Sequence, residues 1–132
     1  MCSRYLLDSS ILIGLDENRL PEAYTGVIND IWKRNAIGFI HMLSVLEYAE
    51  YISHKASLNE FLDKISPLYV IDIDVEDAYN AAVLCKEIKE MGYALTLSDT
   101  LSLYYAKKMR IPIISLKKEV MEVAQKISIK TL

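Results

Sequence analysis

The chain has few of the residues that build metal clusters, disulfide frameworks or flexible linkers. Its 132 residues include 2 Cys, 2 His, 4 Gly and 3 Pro. Cys2 and Cys85 lie far apart without CxxC or Cys/His spacing, which argues against a structural zinc site and a disulfide framework and favours a reducing cytoplasm. Because His41 and His54 are the two histidines, a Ser-His-Asp or Cys-His catalytic site has little to draw on.

Long apolar runs and excess positive charge are also lacking. No run approaches the roughly 18 to 20 residues that a membrane span needs, and the N-terminal stretch is interrupted by Asp8, so we expect no membrane association and a mature protein that begins at Met1. The net charge of -3 gives no general attraction for nucleic acid. A local basic patch or, more simply, a solvated rim is formed by five cations: Lys107, Lys108, Arg110, Lys117 and Lys118.

Short apolar segments alternate with helical patterns along the chain. The length predicts a single domain, 1–132. Buried strands are predicted at 4–7, 36–40, 69–73 and 112–115, with a possible edge strand at 127–132. Helices are predicted at 21–33, 42–52, 58–65, 75–91, 101–109 and 119–127. This alternation is typical of βαβ units, so the predicted fold class is α/β with a parallel sheet, whose ligands would sit beyond the carboxyl ends of the strands.

Three acidic residues stand near the predicted element ends. Asp8 directly follows the first strand, and Glu47 and Asp99 each fall near the start of a helix. Each has a simpler structural interpretation: Asp8 as an N-cap, Ser44-x-x-Glu47 and Thr96-x-x-Asp99 as capping boxes. Gathered at one sheet edge, however, the carboxylates would repel one another unless a cation lay among them. Oxygen ligands without His or Cys favour Mg²⁺ or Mn²⁺.

The acid-bearing segments together resemble those of a known family. YLLDSS at 5–10 resembles the opening strand, acid and hydroxyl of PIN-domain proteins, specifically the small VapC-like ribonuclease toxins of prokaryotic toxin-antitoxin pairs. SVLE at 44–47 resembles the family's Glu-bearing helix start, SDTL at 98–101 its third acidic motif and IPIIS at 111–115 its late strand. The resemblance covers nearly the whole chain.

The resemblance implies a three-layer PIN-like fold, with a central parallel sheet of four to five strands flanked by helices. It also implies an Mg²⁺- or Mn²⁺-dependent ribonuclease that hydrolyses RNA phosphodiester bonds in the cytoplasm. Asp8 and Asp99 would ligate metal and Glu47 would ligate it or orient the attacking water. The usual partners of such a toxin are a second copy, giving a homodimer, and a small antitoxin. Ser10 and Ser115 would be supporting hydroxyls.

One position departs from the family pattern. After the late strand the family usually carries a hydroxyl, any residue and then Asp, whereas this chain has Ser115-Leu116-Lys117. At an effective dielectric constant near 20, one unit charge about 4 Å away is worth on the order of 4 kcal/mol, so Lys117 should weaken metal binding. Lys117 would contact substrate phosphate, or Glu119 would turn inward to compensate.

Two other functions remain open. A degenerate PIN-like domain with weak or no metal binding would act by binding RNA or a protein partner, and Lys117 is the reason to consider it. A phosphoacceptor receiver domain also has an acid after its first strand and a Lys after a late one. It fits less well, because it requires paired acids after the first strand and leaves Glu47 and Asp99 unused.

Overall fold

The computed structural model of the protein describes residues 2–132. Within this range the elements are β1 (Ser3–Leu7), α1 (Ser9–Asp16), α2 (Glu22–Trp32), β2 (Ala36–His41), α3 (Met42–Ile52), α4 (Leu58–Ile65), β3 (Leu68–Ile71), α5 (Val75–Glu90), α6 (Leu97–Met109), β4 (Ile113–Ile114) and α7 (Lys118–Lys126). No helix in this range is long and apolar enough to cross a membrane.

The strands form one parallel sheet in the order β3-β2-β1-β4. Strand β1 lies in the middle, with β2 on one side and β4 on the other, so the sheet switches its direction of growth between β1 and β4. Loops that leave the carboxyl ends of two such strands go to opposite faces and open a crevice between them. The residues that follow β1 and β4 therefore lie side by side at one edge of the sheet.

Two apolar cores, one on each face of the sheet, make three layers. Neighbouring strand residues point to opposite faces: Leu6 and Ile113 pack with α5, α6 and α7, whereas Leu7 and Ile114 pack with α1 to α4. All four of these side chains are fully buried. The sheet is covered on both faces, as expected for a parallel sheet with apolar strands. The predicted α/β fold class is confirmed.

The structure corrects two predicted elements. The possible edge strand at 127–132 does not form; Ser128 takes a left-handed conformation with φ of 63°, and the segment makes a backbone hydrogen bond from Ile113 N to Lys130 O, 3.0 Å, without a strand ladder. Helix α6 begins at Leu97 rather than at residue 101. It starts earlier because Thr96 caps it, which brings Ser98 and Asp99 into its first turn.

Candidate functional site

Asp8 directly follows β1 and is the N-cap of α1. Its carboxylate accepts the backbone N–H of Ser10 at 3.1 Å, so the predicted N-cap is confirmed. It also accepts the hydroxyl of Ser10 and, at 2.5 Å, the hydroxyl of Ser115, which follows β4. Asp8 is only 2% exposed. Both of its oxygens are therefore fixed by groups from the two loops that meet at the sheet edge.

Burial governs the ionisation of Asp8. Loss of solvent raises the pKa of this carboxyl above its ordinary value, and the nearby charge of Asp99 raises it further. The hydroxyls of Ser10 and Ser115 and the positive charge of Lys117 act in the opposite direction. A negative charge at this position is thus only partly compensated, and an additional cation nearby would stabilise it.

Glu47 lies on α3, and its carboxylate is held from two other helices. Ser9 Oγ, at the start of α1, donates to Glu47 Oε1 at 3.0 Å, and Ser98 Oγ, in the first turn of α6, donates to the same oxygen at 2.7 Å. Both serines are buried. Since the two hydroxyls share Oε1, the second oxygen has no hydrogen-bond donor within residues 2–132 and can receive a water or a cation.

The capping box predicted for Ser44 and Glu47 is wrong. His41 is the N-cap of α3, and its Nδ1 accepts the backbone N–H of Ser44 at 3.2 Å. Its Nε2 lies 3.0 Å from Ser98 O and 3.0 Å from Ser102 Oγ. Because Nδ1 is an acceptor, the proton belongs on Nε2, which donates to the Ser98 carbonyl. A neutral histidine therefore ties the start of α3 to the start of α6 and leaves Glu47 free to face the site.

Asp99 and Lys117 form the ion pair of the site. Lys117 Nζ donates to Asp99 Oδ1 at 2.7 Å, while Asp99 also completes the capping box predicted with Thr96. Burial alone would lower the pKa of Lys117, but the hydrogen bond to Asp99 and the charges of Asp99, Asp8 and Glu47 raise it above its ordinary value. The lysine is thus a protonated cation that contacts Asp99 and is stabilised further by the charges of Asp8 and Glu47.

Other predicted site residues lie outside this group. Glu119 is exposed on the first turn of α7 and has no hydrogen bond or ion pair with a site residue within the part of the chain that the structure describes. Lys108 pairs with buried Asp77 at 2.7 Å. Lys107 and Arg110 border a notch near Lys130 at the far end of α6, about 15 Å along the helix from Asp99 at 1.5 Å per residue. The five predicted cations therefore do not form one patch.

Two residues that hold the site were missed by the sequence analysis. Ser9 and Ser98 both bind Glu47, although sequence separations of 38 and 51 residues divide them from it. A signal did exist, because each serine directly precedes or follows one of the acids, in Asp8-Ser9 and Ser98-Asp99. Such adjacency is common for N-terminal helix caps, so it did not by itself indicate a role at a distance.

Comparison with known structures supports the architecture. A VapBC complex of Rickettsia felis bound to a DNA fragment from its promoter matches with a TM-score of 0.73 and 14% identity, over 98% of this chain and 97% of that chain. A DNA-bound VapBC complex of Salmonella typhimurium gives 0.73 and 17%, over 100% and 98%. A sarcin-ricin loop cleaving VapC toxin of Mycobacterium tuberculosis gives 0.66 and 10%, over 90% and 94%. No protein-family model and no curated protein matches the sequence.

The chain has the PIN-like fold of VapC toxins. TM-scores of 0.66 to 0.73 show that the fold is shared although the identities are only 10 to 17%, which confirms the three-layer PIN-like fold predicted from the sequence. The structure has four strands within residues 2–132, at the lower end of the predicted range.

The donor chemistry of this edge suits a hard divalent cation, but its arrangement includes a lysine. Asp8, Glu47 and Asp99 supply carboxylate oxygens, the ligand type that Mg²⁺ and Mn²⁺ prefer. Within residues 2–132, however, no three His, Cys, Asp or Glu side chains are grouped closely enough to hold one ion. Lys117 lies on Asp99 Oδ1. These residues fit a metal by type, but one oxygen of Asp99 is already occupied by Lys117.

His41 makes the stability of the protein depend on pH. Burial lowers the pKa of His41, against the opposing effects of Ser98, Glu47 and Asp99. The unfolded chain therefore binds the proton more readily, and stability falls as the pH drops below the ordinary value of about 6.5, at up to about 1.4 kcal/mol per pH unit. Urea unfolding at pH 5, 6 and 7 should show a smaller pH dependence for His41→Asn, which keeps an N-cap acceptor.

The matched control for this prediction is His54→Asn. His54 is exposed, so this variant should retain the pH dependence of the wild-type protein. An undiminished pH dependence in His41→Asn would contradict a buried neutral histidine.

Proposed function

We propose that the protein is a metal-dependent endoribonuclease that hydrolyses RNA phosphodiester bonds and serves as the toxin of a toxin-antitoxin pair. The observation that supports this proposal is that Asp8, Glu47 and Asp99, at the carboxyl edge of the sheet, are each held by a hydroxyl or ammonium group from another segment of the chain. The PIN-like fold, shared with a toxin described as cleaving the sarcin-ricin loop, supports it.

The proposed cofactor is Mg²⁺ or Mn²⁺, with Asp8 and Asp99 as ligands and Glu47 as a ligand or a water-orienting group. When bound, such an ion supplies charge neutralisation at the phosphate and lowers the pKa of an attacking water. The chain contributes fixed acceptors. Ser10 and Ser115 hold the Asp8 carboxylate in one orientation, as hydroxyls around metal ligands commonly do.

Glu47 is suited to position water. Its Oε1 is fixed by the hydroxyls of Ser9 and Ser98, so the carboxylate cannot rotate freely and Oε2 has a defined direction. A carboxylate held in this way can accept a proton from a water at hydrogen-bond distance. Lys117, once released from Asp99, would lie near substrate phosphate and counter its charge.

The proposed antitoxin would lie in an apolar groove beside the acids. Two cavities of about 560 and 270 Å³ share Leu43 and Ile73, and together they extend from the outer side of α3 to the start of α6. Leu46 is 62% exposed and Leu97 is 67% exposed on this α3–α6 groove. Exposed apolar surface of this kind is typical of a protein interface. Two residues that line the groove, Leu46 and Thr100, are the chain neighbours of Glu47 and Asp99, so basic side chains of a bound partner could reach these acids.

A homodimer in the cytoplasm completes the proposal. Both assignments rest on the resemblance to VapC-like toxins, and the free thiols of Cys2 and Cys85 agree with a reducing compartment.

A second candidate function is favoured by one contact. Lys117 lies 2.7 Å from Asp99, so the site already contains a cation. The same arrangement is expected in a PIN-like domain that binds RNA or a protein without strong metal binding. Cleavage of RNA decides between the two functions.

Wild-type protein with Mn²⁺ should cut a mixed RNA pool, and EDTA should abolish the cutting. Asp8→Asn and Asp99→Asn each remove a proposed metal ligand and should reduce the cleavage rate at least 100-fold, as expected when most transition-state charge stabilisation is lost. Gel analysis of the RNA fragments over time measures these rates.

The matched control is Asp63→Asn on α4, an exposed aspartate away from the site. It should cleave at the wild-type rate. Folded wild-type protein that shows no cleavage with Mn²⁺ would favour the binding function, and undiminished cleavage by Asp99→Asn would remove that residue from the site.

Leu46→Asp should disrupt the antitoxin complex. The probe is the short protein encoded by the neighbouring reading frame, co-expressed with this chain. The charged side chain would be buried without a partner in the α3–α6 groove, so we expect at least a tenfold loss of affinity. Light scattering gives the mass of the purified complex and so shows whether the neighbouring protein is bound. The same measurement on this chain alone tests the homodimer, which would have about twice the mass of 15.1 kDa.

Val83→Asp is the matched control for the groove. Val83 is 43% exposed on α5 and lines a different cavity. Equal loss of the complex in both variants, or a neighbouring protein that never associates, would contradict the proposed partner.

A further inference from the structure

The backbone of Lys117 is anchored to the groups around Asp8. Its N–H donates to Ser115 Oγ at 3.0 Å, and the preceding N–H, of Leu116, donates to Ser10 Oγ at 2.9 Å. The same two hydroxyls donate to Asp8. The Lys117 side chain therefore extends from a fixed point at the edge of the site, and its ammonium group reaches the acids from one direction.

The ammonium group of Lys117 lies among negatively charged side chains. It contacts Asp99 Oδ1 at 2.7 Å, and the side chains of the pair are 37% and 8% exposed. Asp8 and Glu47 are close enough that their charges also favour its protonated form. Neighbouring Lys118 is exposed and forms no ion pair within residues 2–132. Of the two adjacent lysines, Lys117 pairs with an acid of the site and Lys118 does not.

A lysine suits a contact that has to be reversible. Its ammonium is a compact charge on a flexible four-carbon stem, unlike the planar guanidinium of arginine, which binds a carboxylate through two parallel hydrogen bonds. The Lys117 side chain is also partly open to solvent, so it can swing away without opening the core.

We propose that Lys117 is a resident counter-ion that competes with the divalent metal for Asp99. The ammonium compensates the acids while no metal is bound, and a metal ion gains Asp99 Oδ1 only by displacing it. Metal binding is therefore weaker than the three acids alone would give, and the released lysine becomes available to substrate phosphate. This inference rests on the proposed metal-dependent function and adds a control of metal loading to it.

Mn²⁺ binding without RNA tests the competition. Free Mn²⁺ is followed by electron paramagnetic resonance during titration of the full chain. Lys117→Met removes the ammonium and should bind Mn²⁺ at least tenfold more tightly than wild type. Lys117→Arg keeps a positive charge and can bind the carboxylate through two hydrogen bonds, so it should bind Mn²⁺ no more tightly than wild type, whereas Lys118→Met, the adjacent control, should stay within about twofold of wild type.

The outcomes separate this inference from the proposed function. Equal Mn²⁺ affinity in Lys117→Met and Lys118→Met, or no Mn²⁺ binding by any variant, overturns the counter-ion role even if wild type cleaves RNA. Tighter binding in Lys117→Met supports it even if no RNA is cleaved. Lys117→Gln, which keeps a hydrogen-bond donor for Asp99, is titrated in parallel, so that loss of folding in one variant, seen by circular dichroism, leaves a second with the same expected tightening.

Discussion

The site depends on the compensation of negative charge at the carboxyl edge of the sheet. The strand order brings the residues after β1 and β4 together, and helices α3 and α6 add two more carboxylates from the sides. Hydroxyl donors and one ammonium group make this arrangement possible, since buried carboxylates without donors or cations would shift to their neutral forms. Lys117, paired with Asp99, contributes a full positive charge to this group of side chains.

Serine hydroxyls and His41 give the edge its rigidity. Ser115 joins the end of β4 to Asp8, and Ser98 joins α6 to Glu47 on α3. His41 fixes the starts of α3 and α6 relative to each other through a donor and an acceptor on one ring. Each bond links two separate elements, so the acids are held by the fold itself. Such preorganisation lets a polar site act on charge that develops in a substrate without first rearranging.

Local patterns in the sequence predicted much of this, and long-range contacts account for the rest. The alternation of strands and helices predicted the parallel α/β fold, and short-range capping signals placed Asp8 and the Thr96–Asp99 pair correctly. The same capping logic failed at Ser44, because a histidine can also cap a helix and His41 stands directly before Met42, the first residue of α3. The contacts of Ser9 and Ser98 with Glu47, and of Lys117 with Asp99, join distant segments, and a local pattern carries no information about such pairs.

The chemistry of the RNA ends tests the central claim most directly. Mass spectrometry of fragments made by wild-type protein, with Mn²⁺ and with EDTA, identifies the group that attacks phosphorus. Hydrolysis by water at a metal-dependent acidic site predicts fragments only with Mn²⁺, with monophosphate and hydroxyl ends. Fragments that persist in EDTA and end in 2′,3′-cyclic phosphate would contradict the account, because the 2′-hydroxyl of the RNA would then be the nucleophile.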